Sequence, residues 1–90
     1  MKLANTKIDS THPTEVITEA GRIDLLTDTE IVEVKEVRSW KCAVGQILIY
    51  GAYYPKHTKR IHLFGDCTDS LKLIIIKHCT ALNILVTFDK

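Results

Sequence analysis

Cysteines are few, and the three present are poorly placed for chemistry. Cys42, Cys67 and Cys79 are odd in number and form no C-x-x-C pair. This usage argues against a zinc site or a disulfide framework and fits a reducing, intracellular setting. Long apolar runs are also lacking. The longest, Leu73 to Ile76, falls far short of the roughly 20 residues a membrane span needs. The N-terminus has no apolar core of a secretory signal. The expectation is a protein that is not secreted, sits in the cytoplasm or with the nucleoid or nucleus, and has no membrane partner. An excess of one charge is missing as well: twelve basic and eleven acidic residues leave a formal charge of +1. Any contact with nucleic acid must then come from local clusters. Internal repeats and low-complexity stretches are absent. What remains is a 90-residue chain with 46% hydrophobic residues, the profile of one small folded domain.

Residues 1–13 are polar, carry Asn5, Ser10 and Pro13, and show no period. They read as a flexible N-terminal arm, with a single domain over 14–90. Thr14 to Thr18 is rich in β-branched residues and predicts a strand. Glu19-Ala20-Gly21 turns the chain, Arg22 to Leu26 predicts a second strand, and Thr27-Asp28-Thr29 is turn chemistry. Glu30 to Lys35 alternates acidic and apolar residues as a third strand. Trp40, Val44, Ile47, Leu48 and Gly51 then recur at helical steps, with Ser39 as N-cap and Pro55 as a limit. Arg60 to Phe64 predicts a fourth strand. A second helix, capped by Asp69 or Ser70, runs to about Thr80 to Leu82, and Ile84 to Phe88 closes the chain as a fifth strand. The order β-β-β-α-β-α-β predicts an α/β fold: a mixed β-sheet flanked by helices, with a right-handed crossover after the third strand.

The second and third strands hold the most informative residues. If Leu26 pairs with Ile31 across a four-residue loop, Asp24 faces Glu33 and Arg22 faces Lys35. Ile23, Leu25, Val32 and Val34 then form an apolar face, with Asp24, Glu33 and Lys35 on the other. Slipping the register by one would mix polar and apolar residues on both faces. Like charges set opposite each other destabilise a sheet. A hard divalent cation, Mg²⁺ or Mn²⁺, would relieve that repulsion, since such ions prefer carboxylate oxygen. A metal-bound water is a stronger nucleophile, and the ion offsets charge developing on phosphate. Lys35 projects to the same side and can orient that water or contact the phosphate. The same four residues, Arg22, Asp24, Glu33 and Lys35, also read as an ion-pair ladder on a solvated sheet face, each pair worth about 0–1 kcal/mol.

Gly21-x-x-Asp24, then Glu33-x-Lys35, then a helix carrying Gln46-x-x-x-Tyr50 resembles the PD-(D/E)XK nuclease superfamily, which has a restriction-endonuclease-like core and includes small resolvase and repair-type nucleases. The resemblance covers about residues 15–64, and the predicted order of elements agrees with that core. It implies a Mg²⁺- or Mn²⁺-dependent hydrolase acting on DNA phosphodiester bonds, endo- or exonucleolytically, in repair or recombination. Asp24, Glu33 and the Val34 carbonyl would be metal ligands, Lys35 the catalytic lysine, and Gln46 a supporting residue. Members often carry an acid on a helix before the first strand, and this chain has little room for that helix. Glu15 is a substitute only if the Glu19-Ala20 turn has two residues. The chain is close to a bare core, which raises a homodimer or a larger assembly.

Clustered cations near aromatics provide the rest of a DNA interface. Tyr53 to Arg60 mixes Tyr53 and Tyr54 with Lys56, Lys59 and Arg60, and Tyr50 and Arg22 join the candidate contacts. Read as solvated or packed residues, the same set needs no ligand. A catalytically inactive module of the nuclease fold that binds DNA or a protein partner is the alternative reading.

Overall fold

The computed structural model describes residues 14–89, so the expected arm at 1–13 lies outside the described residues. Five strands and two α-helices follow the predicted order: β1 (Thr14–Thr18), β2 (Gly21–Leu26), β3 (Glu30–Glu36), a 3-10 turn at Val37–Ser39, α1 (Trp40–Gly51), β4 (Thr58–Phe64), α2 (Asp69–Ala81) and β5 (Ile84–Phe88). The strands form one mixed sheet in the order β1-β2-β3-β4-β5. β1, β2 and β3 are antiparallel neighbours. β3, β4 and β5 run parallel, each joined to the next through a helix. Ile47 of α1 and Ile75 and Cys79 of α2 enter one core with Ile31, Ile61, Leu63 and Ile84, so both helices cover the same sheet face. Among the described residues no helix covers the other face. None is long and apolar enough to cross a membrane.

The register of the β2–β3 hairpin is the predicted one at its turn, where Leu25 pairs with Val32 and Leu26 with Ile31. Upstream it departs. Thr14 pairs with Leu26 but Val16 pairs with Ile23, so Asp24 and Leu25 together stand opposite Glu15. Such a bulge reverses which side chains face inward. Ile23 and Leu26, three positions apart, are therefore both fully buried, while Leu25 is exposed. The expected apolar face of Ile23, Leu25, Val32 and Val34 is thus split. Arg22 pairs with Ile17 of β1, and the β2–β3 partners, Leu25 with Val32 and Leu26 with Ile31, do not extend to Arg22 and Lys35.

Helix α1 buries Ala43, Ile47, Tyr50 and Gly51. The predicted stripe is rotated: Leu48 is exposed, and Trp40 and Val44 are only partly buried. Ser39 holds the N-cap position, but its side chain makes no cap bond. The cap of α2 is Thr68, not Asp69 or Ser70; its hydroxyl accepts the Leu71 amide at 3.1 Å. Asn83, at φ 60°, turns the chain out of α2 into β5.

Candidate functional site

Asp24 sits in the β2 bulge, and its Oδ2 accepts the Val34 amide at 2.9 Å. The carboxylate takes a donor that the β2–β3 ladder, recorded only at Leu25 and Leu26, leaves open. Glu33 is the next residue back along β3. Alternation along the strand sets Ile31, Glu33 and Lys35 on the helix-covered face, beside Ile61 and Leu63 of β4. Glu33 is 3% exposed, which overturns a solvated ladder at this position. Its Oε2 lies 3.6 Å from Lys35 Nζ, and its Oε1 is buried without a partner. Burial, and secondly the negative charge of Asp24, push the Glu33 carboxyl from 4.5 up to about 7; Lys35 works against both.

Gln46 is half-buried on α1, between Ala43 and Tyr50 on the flank that packs toward β3 and β4. Its Oε1 is also buried without a partner. The structure therefore places two unpartnered acceptor oxygens in the layer between α1 and the sheet. Each is costly to bury unless something donates to it.

The other candidates are dispersed. The turn at Glu19-Ala20 does have two residues, yet Glu15 is paired with Arg22 at 3.4 Å, both largely exposed. Tyr50 is 7% exposed, so its ring has no free face for a base. Its hydroxyl lies where a side chain at Gly21 would begin, 2.7 Å from a Cβ built there. Arg60 is held in a fork by Glu30, at 3.1 Å to Oε2 and 3.2 Å to Oε1, with Thr87 Oγ1 at 3.3 Å. Lys59 is half-buried, its stem lying over Gly51. Lys56 is exposed. The loop that carries it is tied to the β2–β3 turn, since the His57 ring and the Thr27 carbonyl are 3.0 Å apart and the Thr58 amide donates to the Thr29 carbonyl at 2.8 Å.

The Arg60–Glu30 fork and the 2.6 Å contact between His62 Nδ1 and Thr87 Oγ1 have no counterpart in the sequence expectations. Both join residues more than twenty positions apart through the parallel register, which leaves no local signal. Among the described residues, no three His, Cys, Asp or Glu side chains are grouped where they could hold a metal ion. The donor set at the hairpin is therefore at most Asp24 and Glu33 with the Val34 carbonyl.

No family model and no solved structure matches the chain. Among curated proteins, a KilA-N domain-containing protein of Acanthamoeba polyphaga mimivirus is 44% identical over 73 residues, 78% of this chain and 20% of the relative. A second from the same virus is 45% identical over 60 residues, 67% of this chain and 24% of the relative. A third is 50% identical over 50 residues, 56% of this chain and 13% of the relative. The chain spans a quarter or less of the length of these relatives. It is similar to one segment of viral KilA-N domain-containing proteins.

Proposed function

We propose that this chain is a DNA-binding module. The observation that carries the reading is the 44% identity over 78% of the chain to a KilA-N domain-containing protein, a name that belongs to a class of DNA-binding domain. The segment matched is a fifth of that relative, so the remainder of its activity is not carried over. The resemblance of the hairpin motif to DNA-cleaving enzymes points to the same polymer. Lys56 is exposed and, among the described residues, is paired with no carboxylate. The test is fluorescence anisotropy with single-stranded, duplex and branched DNA at two salt concentrations. Binding that weakens with salt, with a shallower slope after Lys56→Glu, is the expected result. Failure to bind any of the three DNAs at low salt overturns the reading.

One observation favours a second, finer reading, metal-dependent hydrolysis of the phosphodiester bond. Glu33 is a buried carboxylate with one oxygen unpartnered, next to a second carboxylate and a lysine. The oxygen donors of Asp24, Glu33 and Val34 fit Mg²⁺ or Mn²⁺ in chemistry. When bound, such an ion activates water and neutralises phosphate charge. Asp24 stays anchored through Val34, and Lys35 holds the Glu33 carboxylate while offering its ammonium to the phosphate. Mn²⁺-dependent cleavage lost in Lys35→Ala and in chelator supports this reading. Equal background in wild type and variant removes it and leaves the binding reading standing.

A further inference from the structure

The outer surface of the helical layer has a sign and a shape. Helix α1 contains no acidic residue, and the single acid of α2 is Asp69 in its first turn. Lys41, Lys77 and His78 are exposed on these helices. Leu48, Ile49, Leu73 and Ile74 are exposed on them as well, and so is Leu82 just after α2. Between the helices lies an open groove of about 530 Å³ lined by Trp40, Lys41, Val44, Ile74, His78 and Leu82. The Trp40 and His78 rings stack in it at 6.1 Å.

Gly45 adds an independent observation. It lies in the middle of α1, one turn from Lys41 and so on the same face. A Cβ placed there meets nothing within 4 Å. Glycine in a helix interior costs about 0.5–1 kcal/mol relative to alanine. Among the described residues, no side-chain contact at Gly45 repays that cost. Gly45 follows Val44, which lines the groove, and its bare backbone suits close approach from outside.

We propose that this groove docks an acidic amphipathic α-helix of a partner protein. Helix-in-groove recognition needs an apolar trough for anchors at successive turns, and Trp40, Val44, Ile74 and Leu82 supply it. Lys41 lines the trough, Lys77 is exposed beside His78 on α2, and the two lysines match carboxylates on the flanks of the incoming helix. Gly45 lets that helix come close. A second copy of this face is the wrong occupant, because it would bring lysines against lysines with no acid but Asp69 on either side. Duplex DNA would satisfy the cations but supply no apolar anchors for the trough.

Trp40 is the only tryptophan in the chain, so its emission reports on the groove. The test displays libraries of amphipathic helical peptides, with apolar positions drawn from Leu, Ile, Phe and Met and flanks that are acidic, neutral or basic. Binders are expected from the acidic library alone, each giving a saturable blue shift of Trp40 emission. Lys41→Glu with Lys77→Glu should weaken them by about tenfold or more. Gly45→Gln should weaken them while raising the thermal midpoint, since it improves the helix and blocks the approach. Several outcomes would overturn the proposal: no acidic binder, equal recovery from the basic library, unchanged affinity in Gly45→Gln, or the same Trp40 shift with duplex DNA or phosphatidylserine vesicles.

Discussion

The Asp24 carboxylate accepts the Val34 amide at 2.9 Å, a side chain standing in for a strand. It does so at the bulge, where β2 carries two residues against Glu15. The residue singled out by its motif is therefore also a structural tie between β2 and β3.

Removing that tie should be measurable. Asp24→Ala leaves the part-buried Val34 amide without its acceptor and is expected to cost about 1–3 kcal/mol in urea unfolding. Asp24→Asn retains an oxygen acceptor and should cost less than half as much. Both should lower the Glu33 pKa, because the Asp24 charge is one of the causes that raise it; side-chain NMR titration reads this. Equal destabilisation by the two variants would show that the bond is not what matters at Asp24.

Glu33 sets a pH dependence whose sign is fixed. Its folded pKa, about 7, lies above the unfolded 4.5, so the folded chain binds the proton more tightly. Its contribution to stability is then fully present below about pH 4.5 and is lost as pH rises through about 7. Over that window the difference between wild type and Glu33→Gln should change by up to about 3 kcal/mol, the wild type losing ground as pH rises. Lys35→Ala should steepen the loss by removing the charge that favours ionised Glu33. A difference that stays flat from acid to neutral pH would place Glu33 in water rather than under α1.

Gly21 and Tyr50 offer a coupled test. Gly21 has φ 137°, and a Cβ there would lie 2.7 Å from the Tyr50 hydroxyl oxygen. Gly21→Ala meets both backbone strain and a clash, and should cost more than about 1 kcal/mol. Tyr50→Phe removes the clashing oxygen but not the strain. The double variant should recover part of the loss, with a coupling of about 0.5–3 kcal/mol in a double-mutant cycle. Strict additivity would mean that the ring does not crowd Gly21.

The two helix N-termini should respond differently to alanine. Thr68→Ala removes a hydroxyl that accepts the Leu71 amide and should cost about 0.5–2 kcal/mol. Ser39→Ala removes no cap bond and should fall within about 0.5 kcal/mol of wild type. Thermal or urea midpoints decide it, and a larger loss at Ser39 would reverse the assignment.

The order of elements was written in local chemistry. β-branched runs, the Glu19-Ala20 turn, the Thr27-Asp28-Thr29 turn and the helical spacing before Pro55 each act over a few residues, and all five strands and both helices lie where these signals put them. The pairing of Leu26 with Ile31 was equally legible, because a short loop leaves a hairpin few registers. What lay outside local reach were events set by neighbours distant in sequence. The β2 bulge depends on how β1 docks. Arg60 belongs to Glu30 only because β3 and β4 run parallel. Tyr50, a candidate base-stacking residue by spacing, is buried because α1 turns it toward Gly21.

The sequence alone determined the α/β class, the order of its elements, and the nearness of Asp24, Glu33 and Lys35 across one hairpin, because periodicity and turn chemistry are properties of short segments. Only the tertiary structure decided that Glu33 lies under the helical layer rather than in solvent. That depends on which sheet face the two crossovers cover. Burial by that layer, together with Asp24, is what turns an ordinary acid into one poised near neutral pH.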